Sequence, residues 1–137
     1  MKKSGFTLVE LLAVIVILAL LLSIAIPGVI TMASRIQGNM FCSKVENIEK
    51  AAQMWGEDNY DAINLATGKT QTVTVATLIQ KSYLKKDDEK TTDSSLFIRD
   101  PRDDTSLLNK EVKVFIKNSR IYANYQYDTE TDKELCK

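Results

Sequence analysis

Lys2-Lys3-Ser4-Gly5-Phe6-Thr7-Leu8-Val9-Glu10-Leu11-Leu12 opens the apolar run that decides the fold. From Leu11 to Ile26 every residue is apolar except Ser23, and from Phe6 to Ile30 the only charge is Glu10. At 1.5 Å per helical residue this stretch reaches roughly 37 Å, against a hydrocarbon core of about 30 Å. A single segment can satisfy its backbone groups in lipid only as a helix. The run reads as a membrane-spanning helix.

Two features make it more than an anchor. Lys2 and Lys3 precede the apolar run, and no Lys or Arg follows on its far side until Arg35. The positive-inside bias therefore puts the N-terminus in the cytoplasm and the residues beyond about 33 outside. Glu10 lies one turn into the apolar stretch. Insertion of an acidic residue costs on the order of 2.5–3.5 kcal/mol at a helix centre and less near an end, so such a group is expected to have a cationic partner. No Lys, Arg or His lies within the run. The nearest candidate cation is the α-amino group that a cut after Gly5 would create.

Gly5-Phe6-Thr7-Leu8-Val9-Glu10, after a short basic leader and before an apolar helix with Pro27, resembles the N-terminus of a type IV pilin or a type II secretion pseudopilin. The resemblance covers about the first 30 residues. It implies cleavage after Gly5 by a prepilin peptidase on the cytoplasmic side and N-methylation of Phe6. It also implies that Glu10 compensates the Phe6 amine of a neighbouring subunit in a helical filament. Implied partners are other pilin subunits, the peptidase, an inner-membrane assembly platform, and the membrane itself before assembly. The implied location is a single-pass membrane protein with a cytoplasmic N-terminus, later a cell-surface filament.

Other readings of the start fit less well. A secretory signal peptide would be cut after its apolar core, and Ser23-Ile24-Ala25-Ile26-Pro27-Gly28 offers no convincing small-x-small site. An uncleaved signal anchor, carrying an adhesin or receptor domain that acts alone, leaves Glu10 and Gly5-Phe6 unexplained.

Of the 137 residues, those from 33 onward suffice for one small domain with a modest core. The expected division is a leader at 1–5, a transmembrane or filament-core helix at 6–32, and a globular head at 33–137. The whole chain has zero formal net charge, and removing residues 1–5 leaves 16 basic and 18 acidic side chains. No basic excess points to nucleic acid as a main partner. Histidine is absent, which removes the commonest general base and metal ligand. Cys42 and Cys136 are the only cysteines, and the topology places both where disulfides persist. They form either one bridge, pinning the C-terminal tail to the helix, or two free thiols. The bridge is the expectation, although pilins with a disulfide more often close it within the C-terminal part.

Phe41, Val45, Ile48, Ala52 and Trp55 recur at helical spacing. They extend the expected helix from about Thr7 to Asn59, with an interruption or kink at Pro27-Gly28 and a weak spot at Gly38. Residues 60–74, polar and Thr-rich, read as a loop. Val75–Leu84 reads as a short helix capped by Thr74, with Leu78, Ile79 and Tyr83 inward. It is similar to a leucine, glycine-tyrosine-leucine segment of Gram-positive pilins and pseudopilins, with Ser82 where glycine is usual. Lys85–Ser95 reads as a charged loop and Leu96-Phe97-Ile98 as a short strand. Glu111–Lys117 and Arg120–Tyr127 alternate about Asn118-Ser119, an antiparallel hairpin whose apolar faces pack on the long helix.

No Gly-rich phosphate loop, Ser/His/Asp set or metal-spaced Cys/His cluster appears, and no catalysis or cofactor is expected. Asp128, Glu130 and Asp132, with Asp100, Asp103 and Asp104 in an earlier loop, are weak calcium candidates. Neither cluster has the spacing or glycine of a defined calcium loop, and a solvated tail is the expectation for 128–132. Tyr122, Tyr125 and Tyr127 read as packing groups. The expected fold is α+β: a pilin-like lollipop, a long N-terminal helix with an amphipathic outer half under a small antiparallel head.

Overall fold

The computed structural model describes residues 5–137, apart from the side chains of Ala25 and Pro27. The leader lysines Lys2 and Lys3 lie outside the described residues. The chain is α+β. Helix α1, Leu8–Asp58, is followed by α2 (Tyr60–Leu65), β1 (Thr70–Thr74), α3 (Val75–Gln80), β2 (Glu111–Lys117), β3 (Arg120–Tyr125) and α4 (Glu130–Leu135). It divides into two compact units, Met1–Ile36 and Gln37–Lys137.

In the first unit every described side chain is exposed. The helix runs on through Pro27-Gly28, so the expected interruption is not found. Ser23 and Ser34 donate their hydroxyls to the carbonyls of Leu20 and Ile30, satisfying the polar groups locally.

The second unit is built on the last turns of α1. Phe41, Val45, Ile48, Ala51, Ala52 and Trp55 are buried there, the stripe set by the helical period. Against it lies a three-stranded antiparallel sheet in the order β1-β2-β3. Val112 and Val114 of β2 and Ala123 and Tyr125 of β3 are buried. The hairpin turns at Asn118 and Ser119, both with positive φ (51° and 59°), as a two-residue primed turn requires.

Gly56 explains how closely the sheet approaches. A Cβ there would stand 2.7 Å from both Ile121 Cγ2 and Val114 Cγ1. Those methyls belong to β-branched side chains that are stiff at χ1, so the glycine makes room that a side chain would occupy. At Gly38 a Cβ would meet Leu135 of α4 at an ordinary 3.5 Å.

Four expectations need correction. Residues 60–74 are not a loop but contain α2, with Ile63 fully buried, and the edge strand β1, paired from Thr70↔Phe115 to Thr74↔Glu111. Only Val73 of β1 is apolar, so polarity hid a strand that β-branched threonines favour. Leu96-Phe97-Ile98 is not a strand. Asp93 accepts the Ser95 N–H and starts a 3₁₀ turn at Ser94–Leu96, leaving a single bridge between Arg99 and Ser106. Residues 128–131 are solvent-exposed as expected, but the segment enters a helix and is not an irregular tail, because Thr129 caps α4 by accepting the Asp132 N–H. Finally, α3 ends at Gln80 and β3 at Tyr125, earlier than read. Thr74 does cap α3, accepting from Thr77 N, and Ser82 follows with φ 64°, a left-handed conformation in which glycine is unstrained.

Polar ties hold the long 81–110 connection. Lys44 of α1 donates to Asp87 Oδ2 and to the Arg99 carbonyl, each at 2.7 Å, and Asp87 also accepts the Arg99 N–H. Arg102 sits 3.7 Å over the Phe41 ring, forks onto the buried Asp100, and pairs with Asp132 of α4. A buried carboxylate is tolerable only when so paired. Cys42 and Cys136 form a disulfide, Cα to Cα 5.2 Å, closing a separation of 94 residues. The chain-entropy argument values a closure of that length at about 4–5 kcal/mol.

Gly38→Ala should stabilise the second unit by up to about 1 kcal/mol, through helix propensity alone. Gly56→Ala should cost about 1–3 kcal/mol through overpacking. Trp55 fluorescence during urea unfolding of the full chain in detergent reads both; equal effects would mean that the helix–sheet approach is looser than described. The Arg102 guanidinium, through its hydrogen bond, holds the Asp132 carboxyl below the ordinary aspartate value. A depressed carboxyl stabilises the fold above the unfolded value, near 4, and loses that contribution as pH falls through the folded one. Thermal stability should therefore fall as pH is taken from about 5 towards 3, and Asp132→Asn should flatten that fall; an unaltered acid limb in the variant would contradict this coupling.

Candidate functional site

The segment that the sequence singles out begins at Gly5. A Cβ at Gly5 would meet nothing within 4 Å among the described residues, so no packing among them demands glycine there. Phe6 is 78% exposed, and Leu8, Val9, Leu11 and Leu12 are exposed likewise. A soluble core helix of this length and apolarity would be mostly buried, whereas none of its most apolar 18-residue window is covered by the chain itself. Each Val, Leu or Ile left in water forgoes about 1.5–3 kcal/mol. By length and composition this helix could cross a membrane.

Glu10 takes part in an arrangement that the sequence reading missed. Its Oε2 accepts from both the backbone N–H and the hydroxyl of Thr7, each at 2.9 Å, and its own N–H donates to Thr7 Oγ1 at 3.3 Å. Thr7 immediately precedes α1, so this is a reciprocal capping box. The signal was legible as Thr7-Leu8-Val9-Glu10, the S/T-x-x-E pattern. The box fixes the carboxylate beside the backbone that links Phe6 to Thr7. Among the described residues, Glu10 Oε1 receives no hydrogen bond.

The remaining candidate residues are not brought together with these. Asp128 pairs with Lys110, Glu130 with Lys133 and Asp132 with Arg102. Asp100 is held by Arg102, Asp103 accepts from Thr105, and Asp104 pairs with Arg99. Among the described residues no group of three His, Cys, Asp or Glu side chains could hold a metal ion. Cys42 and Cys136 belong to the fold of the second unit. Tyr125 and Tyr127 pack on each other edge to face, their centroids 5.1 Å apart, while Tyr122 stays 37% exposed.

Comparison with known proteins gives two matches. The family described as the prokaryotic N-terminal methylation motif matches residues 1–26. The chain is also similar to competence protein ComGC of Bacillus subtilis (strain 168), at 36% identity over 87 residues, spanning 64% of this chain and 80% of that protein. No solved structure matches. The basic leader, the glycine before phenylalanine, the carboxylate capped at the start of an uncovered apolar helix, and a relative matched over most of its length have one common explanation: the chain belongs to the type IV pilin and pseudopilin family.

Proposed function

We propose that this chain is a structural subunit of a type IV pilus-like filament serving adhesion, motility or surface attachment. In this reading it inserts as a prepilin with residues 1–5 in the cytoplasm. Prepilin peptidase cuts after Gly5 and methylates Phe6. The assembly platform then draws residues 6–32 out of the bilayer into the filament core, leaving 33–137 as the head.

The observation that carries the reading is the fully exposed apolar helix with one carboxylate at its start. Moving such a helix from lipid to a bundle of identical helices exchanges apolar contacts at little cost and gains close packing. The charge must be answered at the same time. A neighbour's Phe6 amine, brought to Glu10 Oε1, would pair the two charges without undoing the Thr7 cap, and would set the stagger between subunits. Gly5, which no packing among the described residues demands, is then a requirement of the peptidase.

A second reading is favoured by the relative, whose name is that of a competence protein. On it, the same processing and assembly would serve a pseudopilin of a DNA-uptake system, or of a secretion system. Abundance in sheared surface filaments separates a major pilin from such a trace or short-filament component.

Glu10→Ala should leave cleavage after Gly5 intact and reduce the filament recovered by shearing by more than about tenfold, the effect of losing as little as 1.4 kcal/mol per contact. Immunoblots of membrane and sheared fractions read both quantities. Undiminished filament would refute the role given to Glu10.

A further inference from the structure

The sheet has two edges, and the chain treats them differently. Gln126 N–H donates to the Glu111 carbonyl, and Val75 N–H to the Lys110 carbonyl. Antiparallel alternation from those two bonds fixes which backbone groups point outward. On β3 the outward N–H of Tyr125 is taken by Glu49 Oε1 of α1 at 2.8 Å. Helix α1 runs along that strand, with Glu49 at Tyr125 and Gly56 at Ile121. On β1, Gln71 and Val73 use their backbone groups on Val114 and Val112. The Thr70 carbonyl, both backbone groups of Thr72 and the Thr74 N–H point away from the sheet, and no hydrogen bond to them is found among the described residues.

Edge strands are ordinarily blunted by a charge, a proline or a bulge. Thr70-Gln71-Thr72-Val73-Thr74 carries no charge and no proline, and its register with β2 is unbroken. Thr72, at its centre, is exposed. The strand is also its own complement. Turned about a two-fold axis at Thr72, the N–H and C=O of Thr72 meet those of a second copy, and each Thr74 N–H meets a Thr70 carbonyl. Every outward group named above is then matched. Thr72 stands opposite Thr72, Thr70 opposite Thr74 and Gln71 opposite Val73. Threonine pairs are favourable across strands, and no like charges are opposed.

We propose that the β1 edges of two copies pair antiparallel about Thr72 and make one six-stranded sheet. The axis of such a pairing stands perpendicular to the sheet, so it reverses whatever lies along the sheet. The 37–58 part of α1 lies along it, and these parts of the two copies therefore run in opposite directions. Subunits side by side in one membrane, or in one filament whose helices all point the same way, cannot meet like this. On the filament reading, the contact joins two filaments of opposite sense, and repetition along them compensates for the short strand. The pairing itself rests on the 37–137 unit alone and does not depend on Glu10 or on processing.

The test uses the full chain in detergent micelles. Thr72→Cys, mildly oxidised, should give a covalent dimer linked through position 72 of both copies. Residues of a hydrogen-bonded antiparallel pair stand about 5.5 Å apart at Cα, within reach of a disulfide. Lys113→Cys is the comparison, because Lys113 is also exposed but lies one strand further in, beside Thr72. Its mate would be about 14 Å away, and no link should form. Chains labelled at Lys113→Cys with a donor or an acceptor dye then report pairing by energy transfer. Thr72→Pro in those chains should weaken pairing at least about tenfold, through the loss of two hydrogen bonds. Trp55 fluorescence should stay unaltered, because the Thr72 N–H takes no part in the β2 ladder. Thr72→Lys, which sets two like charges at the axis, should weaken pairing as much. No link at position 72, or equal linking at both positions, would overturn the proposal. So would energy transfer that survives Thr72→Pro and Thr72→Lys, which would assign the association to the apolar helices.

Discussion

An apolar helix that its own chain leaves uncovered constrains everything else about this protein. From Phe6 to Ile30 every described side chain is exposed, and water is not a tolerable partner for so many apolar ones. Two environments can replace water, a bilayer and a bundle of like helices, and they are similar enough in polarity for a subunit to pass between them. Glu10 makes the two unequal. In lipid the carboxylate must rely on the Thr7 cap, which satisfies one of its oxygens. In a bundle it can also meet a cation.

The second unit solves a different problem, that of building a core from few residues. The buried stripe of α1 is wide enough to seat a three-stranded sheet only because Gly56 lets Val114 and Ile121 come close. The long connection between α3 and β2 has little regular structure, so polar groups fix it: Lys44 reaches Asp87 and the Arg99 carbonyl, and Arg102 bridges Asp100 and Asp132 above Phe41. The Cys42–Cys136 disulfide and the Leu135 contact at Gly38 return α4 to α1. Small domains with modest cores commonly depend on such staples.

How much of this was legible in the sequence follows the strength of each local signal. The long helix and the 111–125 hairpin were readable because their apolar periods are strong and the turn residues are apt. β1 was not, since its inward positions carry one valine and one glutamine, and its pairing depends on a strand some forty residues away. α4 looked like an acidic tail because its cap is a single threonine and its contacts to Gly38 and Arg102 are tertiary. At the N-terminus Glu10 stood out as a lone charge, whereas the Thr7 cap was overlooked within the same motif. The pairing of Phe115 with Tyr122 follows from the same hairpin, because a two-residue turn at Asn118-Ser119 sets Lys117 opposite Arg120 and hence Phe115 opposite Tyr122.

The central claim is that residues 1–5 are removed and the new N-terminus enters a filament. Mass spectrometry of the N-terminal peptide, from protein made in its native cells, tests it most directly. The account predicts a chain beginning at N-methyl-Phe6. An intact 1–5 leader, in cells whose prepilin peptidase is active, would contradict it and leave a membrane-anchored domain whose Glu10 has no cation to meet.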